Sequence, residues 1–393
     1  MPWNLKELAG QRMRLVKLAI RAQQSVAELC RIFRISRTTA YKWIKRFEAG
    51  GLRGLVDRSR RPQHSPTGIA AKWSQRRRRW GAKKIGAALA RRHGRRGMPA
   101  VRTIARCLER LNLIKRRRRR SPKGPPLLRS ALTQPRRSNA VWTVDFKGWF
   151  HTGDGQRVDP LTIRDLFSRY IVGIVLLRDQ QWWRVQAVFR AVFQRYGLPK
   201  VIRIDNGGPF GSVGPAGLTR LSAWWISLGI RVEFIAPGHP EQNGAHEQMH
   251  RVLKAETTRP PSSTRRAQQR RINHWVVQYN QERPHEGLQQ RCPSQVYHPG
   301  RKQRALRQPL IKYPATWEVR KVRSNGQIKW QGRMRFIGEA FVGYAIGLKL
   351  KTPGRWQINF VGVMVGELRA SDAGGLRPTA YIPRHPTKPK LKV

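Results

Sequence analysis

The chain has 393 residues, of which 80 are Lys or Arg and 21 are Asp or Glu, giving a formal charge of 80 − 21 = +59. An excess of this size points to a polyanionic partner, because cationic side chains seated on phosphates release counterions. No run of about 18 uncharged apolar residues is present to span a bilayer, and the opening "MPWNLKELAG" lacks the apolar stretch of a secretory signal. Cys30, Cys107 and Cys292 form no CxxC pair, which excludes a disulfide framework or a cysteine zinc knuckle and suits a reduced, cytoplasmic, nucleoid-associated setting.

The first predicted element lies in "SVAELCRIFRISRTTAYKWIKRF", Ser25 to Phe47. Val26, Leu29, Cys30 and Phe33 recur with helical spacing. Arg34-Ile35-Ser36 interrupts them, and Ser36 is placed to cap a second helix that turns Ala40, Trp43, Ile44 and Phe47 inward. Two short helices across a tight turn make a helix-turn-helix, expected over residues 1–60, with Arg37, Thr38, Thr39 and Lys42 facing DNA. A second unit is expected over residues 61–120. Its runs Trp80–Gly94 and Met98–Ile114 are amphipathic, the latter with Val101, Ile104, Ala105, Leu108 and Leu111 on one face. Residues 121–138, basic and proline-rich, read as a linker along phosphate.

From Asn139 the texture changes. "VWTVDFKGWF", "LTIRDL", "YIVGIVLL", "VIRID" and "RVEFIA" are strand-like, and "QWWRVQAVFRAVFQRYG", "LTRLSAWWISLG", the stretch from Asn243 and Arg265–Tyr279 are helical. This order predicts an α/β domain with a mixed sheet over residues 139–300. Residues 301–383 hold five short predicted strands, expected to form a small β-barrel, and 384–393 are a basic tail.

Acidic residues are scarce, so their places carry weight. Asp145 follows the apolar "VWTV" and Asp205 ends "VIRI" before Asn206-Gly207-Gly208. A carboxylate ending an apolar strand is costly to bury unless it is paired or binds metal. Two such aspartates with a glutamate at a helix start suit Mg²⁺, which takes hard oxygen ligands and keeps several waters. Asp165 reads as a turn cap, and Asp154 and Asp159 as loop residues. A competing pattern is HEQMH, His246 to His250, which matches the H-E-x-x-H of zinc peptidases. Leu253 and Glu256 stand where a metzincin would continue with glycine and histidine.

The stretches "WTVDFKGWF", "PLTIRDLFSRY", "IRIDNGGPF", "PGHPEQNGAHEQMHRVLK" and "YNQERPHEGLQQRCPSQVY" occur in that order over about residues 139–300. Together they resemble the ribonuclease-H-like catalytic core of retroviral integrases and of bacterial insertion-sequence transposases. The flanking helix-turn-helix units and the C-terminal strands also resemble that transposase family. The resemblance implies an Asp-Asp-Glu triad of Asp145, Asp205 and Glu247 that holds two Mg²⁺ (or Mn²⁺) ions and catalyses 3′-end cleavage and strand transfer. It also implies binding to double-stranded DNA, at the element's terminal inverted repeats and at the target, by a homo-multimer in a synaptic complex. Glu247 lies 247 − 205 = 42 positions after Asp205, and Glu241 lies 241 − 205 = 36 after it, a separation many integrases show. The local "PxxNGxxE" pattern selects Glu247. Gln248 departs from the arginine usual after that glutamate. Two alternatives stand beside this reading: a DNA-binding regulator with an inactive core, and a zinc metallopeptidase built on HEQMH.

Overall fold

A computed structural model of the chain describes residues 8–21, 24–57, 68, 71, 73, 80–94, 98–113, 132–236, 239–301, 310–372 and 374–379. The sequence's basic runs Arg76–Arg79 and Lys115–Arg120, most of the linker and the basic tail lie outside these residues. The chain divides into two compact units, Met1–Gly68 and Ile69–Val393.

In the first unit, α1 (Leu8–Ile20), α2 (Val26–Ile32) and α3 (Arg37–Gly54) share a small core of Leu15, Val16, Leu29, Cys30, Ala40, Trp43 and Leu55. Ser25 opens α2 with a capping box to Glu28, and the Ser36 hydroxyl accepts the Thr39 N–H at 3.3 Å to open α3. The turn between them needs Arg34 at φ 49°. Helix α1 was not expected, and it supplies the third wall. Its Arg12 lies over the Trp43 ring at 3.8 Å, and Arg46 packs on the same ring at 4.6 Å, so the indole is flanked by two guanidiniums.

The second unit begins with α4 (Ala82–His93) and α5 (Val101–Arg110), packed through Trp80, Ile85, Leu89, Ile104, Cys107 and Leu108. Val101, expected on the apolar face, is 47% exposed, and Cys107 takes the buried place.

The mixed sheet that follows consists of β1 (Val141–Phe146), β2 (Phe150–His151), β3 (Arg157–Asp165), β4 (Ile171–Leu177), β5 (Val201–Ile204) and β6 (Arg231–Phe234). Strand β3 runs antiparallel to β1, β2 and β4, while β1, β5 and β6 are parallel. Four helices complete the layers: α6 (Trp182–Tyr196), α7 (Arg220–Ser227), α8 (Gly244–Thr257) and α9 (Arg265–Gln281). Alternate residues of a strand face opposite sides. Trp142, Val144, Leu161 and Ile163 therefore enter the core of α6 and α7, where Phe189, Phe193, Trp224 and Trp225 pack. The other face carries Val158, Ile174 and Leu176 against Met249 and Leu253 of α8 and Ile272, Trp275 and Tyr279 of α9. Asp159, expected in a loop, is instead a fully buried residue of β3, paired with Arg157 at 3.1 Å and accepting from Gln180 at 2.8 Å. Asp165 caps its turn by accepting the Asn139 and Ser168 N–H groups, each at 2.8 Å.

The expected C-terminal β-barrel is an open arrangement. Strands β7 (Glu318–Lys321), β10 (Ala345–Thr352), β11 (Arg355–Phe360), β12 (Val363–Arg369) and β13 (Arg377–Pro378) form one sheet in the order β13-β12-β11-β10-β7. Strands β8 (Gln327–Trp330) and β9 (Arg333–Phe336) form a separate hairpin. The stretch read as one strand, "IKWQGRMRFI", folds back at Gln331 (φ 46°) and Gly332 (φ 74°), a pair of positive φ angles that makes a tight hairpin turn. Among the described residues, one backbone bond joins the hairpin to the segment entering β13, from the Leu376 N–H to the Phe336 carbonyl at 2.8 Å, and the Arg335 guanidinium donates to the Asp372 and Gly374 carbonyls beside it. One bond does not make a ladder, so the circle does not close. Trp330, Ile346, Ile358 and Phe360 of these sheets join the same apolar cluster as α7.

Candidate active site

Asp145 and Asp205 meet at one end of the sheet because of strand register. In the parallel pair β1–β5, Thr143 stands opposite Arg203, an offset of 203 − 143 = 60. The two aspartates have the same offset, 205 − 145 = 60, so they leave neighbouring strands side by side at their C-terminal ends. Open α/β sheets bind ligands at such ends. The chain then turns sharply: the Asn206 amide donates to the Ile235 carbonyl at 2.8 Å, and the Gly207 N–H to Asp205 Oδ1 at 3.3 Å. A Cβ at Gly207 would stand 3.3 Å from the Asp205 carboxylate, tight enough to press on it.

Burial, then the Asp205 charge and in smaller part Glu247, push the Asp145 carboxyl up to about 7. Burial also raises Asp205. Glu247 projects from the first turn of α8 and is exposed. Helix α8 starts there because the short turn Pro240–Asn243 ends at Gly244, and Gln242 ties that turn back to the Ala236 N–H at 2.9 Å. Glu241 lies within the turn, before the helix. The three acids thus come to the same end of the sheet, and the charges of Asp205 and Glu247 both act on Asp145. Among the described residues no three His, Cys, Asp or Glu side chains converge closely enough to hold one ion.

HEQMH faces the sheet. His246 and His250 are 1% and 7% exposed, with ring centroids 4.7 Å apart. His246 Nδ1 lies 2.7 Å from the Thr143 hydroxyl, and its Nε2 lies 2.6 Å from the Thr162 hydroxyl. His250 Nε2 lies 2.8 Å from that same Thr162 hydroxyl, and its Nδ1 is 3.7 Å from Asp145 Oδ2. A zinc peptidase needs both imidazoles aimed at one open point; here both Nε2 atoms aim at a threonine, so the peptidase reading fails on geometry. Burial drives both rings toward the neutral form, His250 to about 3. Both histidines lie inside the domain, which sequence reasoning did not anticipate. It missed Thr143, Thr162 and Arg164, whose guanidinium donates to the Ala245 carbonyl at the start of α8. The available signal was the alternation that puts Thr143 and Asp145 on one face.

In the first unit, Arg37, Thr38 and Lys42 are exposed at the start of α3, while Thr39 is half-buried with its hydroxyl 2.9 Å from that of Ser36.

A helix-turn-helix domain model matches residues 11–63, and integrase core domain models match residues 135–240 and 228–293. An insertion element IS407 protein of Burkholderia multivorans is 29% identical over 247 residues, 62% of this chain and 85% of that protein. An insertion element IS476 protein of Xanthomonas euvesicatoria is 30% identical over 183 residues, 46% of this chain and 51% of that one. Among solved structures, the HTLV-2 integrase catalytic core domain in complex with magnesium aligns with a TM-score of 0.34 at 16% identity, over 42% of this chain and 100% of its own. The matched models define a DNA-binding protein with a helix-turn-helix domain and an integrase core. Within that class, the likeness to the two insertion-element proteins supports an insertion-sequence transposase of the retroviral integrase superfamily.

Proposed function

We propose that this transposase binds the terminal inverted repeats of its own element, cleaves their 3′ ends and transfers them into target DNA, using Asp145, Asp205 and Glu247. The observation that carries the reading is the placing of Asp145 and Asp205 at the ends of adjacent parallel strands, with Glu247 close enough for its charge to act on Asp145. Three hard-oxygen donors, of which Asp145 is raised by burial and then by the charges of Asp205 and Glu247, are a donor set that Mg²⁺ or Mn²⁺ suits. Asp145, Asp205 and Glu247, which do not converge on one point in this arrangement, would draw together to hold two ions. When bound, such ions stabilise the attacking and leaving oxygens of an in-line displacement at phosphorus. Lys147 and Lys254 stand near enough for the second to lower the first, after burial, and they offer positive charge to DNA phosphate beside the acids.

In the first unit, Arg37, Thr38, Thr39 and Lys42 of α3 enter the major groove of the element end. The helical pair at 61–120 and the basic segment 121–138 extend that contact along phosphate, and the core over 139–300 performs the chemistry. Joining two ends requires a homo-multimer. The test incubates the protein with labelled end DNA, supercoiled plasmid and Mg²⁺. Joined products are expected. Binding without cleavage would make it a regulator, and cleavage without joining a nuclease.

A further inference from the structure

We propose that His246, Thr162 and His250 form a hydrogen-bonded strut between α8 and the sheet that positions Glu247 and Asp145 relative to one another. The inference rests on the reading of those two acids given above. Thr162 is the centre of the strut. It sits directly opposite Asp145 in the β1–β3 pairing, and its hydroxyl donates to the Asp145 carbonyl at 2.8 Å. A hydroxyl has one proton and two lone pairs. With the proton given to Asp145, both lone pairs accept, so His246 and His250 donate through Nε2–H at 2.6 and 2.8 Å. Each ring is thereby fixed in one tautomer. The Nδ1 of His246 accepts from the Thr143 hydroxyl at 2.7 Å, on the same face of β1 as Asp145. The Nδ1 lone pair of His250 is left directed at the Asp145 carboxyl, 3.7 Å from Oδ2.

The consequence is mechanical. His246 and His250 lie one helical turn apart. Met249 and Leu253 pack α8 on the sheet, but apolar contact is non-directional and sets roll and height less sharply than hydrogen bonds do. Two rings bound to hydroxyls of two strands fix both roll and height. Glu247, next to His246 and itself exposed, takes its direction from that anchor. His246, His250 and Thr162 are therefore positioning residues, and HEQMH serves an oxygen-ligand site without supplying a ligand.

The test uses the full chain and four variants: Thr162→Val, which keeps the shape and removes the hydroxyl; Thr162→Ser, which keeps the hydroxyl; His250→Leu; and Asp145→Asn. Mn²⁺ binding is measured by loss of the free-ion paramagnetic resonance signal, alongside strand transfer against metal concentration. Groups that orient metal-binding side chains cost about 10- to 100-fold in affinity when lost. Thr162→Val and His250→Leu should raise the Mn²⁺ concentration for half-saturation and for half-maximal strand transfer by at least about tenfold, with end-DNA binding retained. Thr162→Ser should restore both. If Thr162→Val only lowers the melting temperature and binds Mn²⁺ as the parent does, the strut is merely structural and the inference is wrong. Should Thr162→Val fail to fold, His250→Leu decides by the same two curves. Asp145→Asn separates the layers: full activity in that variant overturns the site itself, whereas a dead Asp145→Asn beside a Thr162→Val with unchanged metal dependence overturns the strut alone.

Discussion

A carboxyl raised to about 7 among other acids behaves unlike an ordinary aspartate, and Asp145 sets the residue-scale expectations. Its folded pKa lies above the unfolded value of 3.8, so the folded state holds the proton more tightly. That stabilising contribution is complete below 3.8 and is lost as pH rises through about 7. In EDTA, Asp145→Asn should therefore melt higher than the parent at pH 8, with the gap shrinking at pH 5; one pKa unit corresponds to about 1.4 kcal/mol. Calorimetry at the two pH values checks this, and a gap independent of pH would sink it. Glu247→Gln keeps the side-chain shape and removes one negative ligand. Cleavage and strand transfer should both fall by more than about 100-fold, because aligning the reacting groups supplies much of the catalysis in such sites. Glu241→Gln, in the turn before α8, should keep most activity. The reverse pattern in a cleavage assay would show that the glutamate was assigned wrongly.

Two helices decide the element scale. The exposed side chains of Arg37 and Lys42 open α3, and each phosphate contact contributes about 0.9 to the slope of log affinity against log salt. Arg37→Ala with Lys42→Ala should reduce that slope by about 1 to 2 and narrow the preference for element ends over random DNA. Equal affinities of the parent for the two DNAs would remove the assignment of α3 as the reading helix. Helix α8 is held by apolar packing as well as by its histidines. Leu253, 1% exposed, packs against the sheet. Leu253→Ala should cost about 2–5 kcal/mol by leaving a cavity, read by denaturant unfolding. Loosening the helix should also lower strand transfer at temperatures where the variant stays folded.

At the scale of the whole molecule, the +59 charge makes DNA affinity steeply dependent on salt, and its sign was evident from composition alone. The mixed sheet was legible as well: "VWTV", "VIRI" and "YIVGIVLL" are short runs rich in β-branched residues, as strands are, and Gly197 at φ 83° ends α6 where the pattern stops. The helix-turn-helix followed from Ser36 and the spacing of Ala40 and Trp43. Local chemistry fixes these features, since a cap, a turn or an apolar period acts within a few residues. The candidate acids were named from the same local logic, as carboxylates at strand ends. Their company was decided elsewhere. The offset of 60 that sets Asp145 beside Asp205 is a property of pairing between strands far apart in sequence. Likewise HEQMH is ambiguous as a string, and only the packing of α8 on β1 and β3 turns its histidines inward onto Thr143 and Thr162. The open C-terminal sheets differ from the expected barrel for a related reason: strand count is local, but closure requires a backbone ladder between edges, and the described residues make one backbone bond there. The sequence by itself determined the charge, the periods and the residue types available for chemistry. Register, facing and closure were left to tertiary contacts, because each depends on partners 60 to 103 residues away or on an edge meeting an edge.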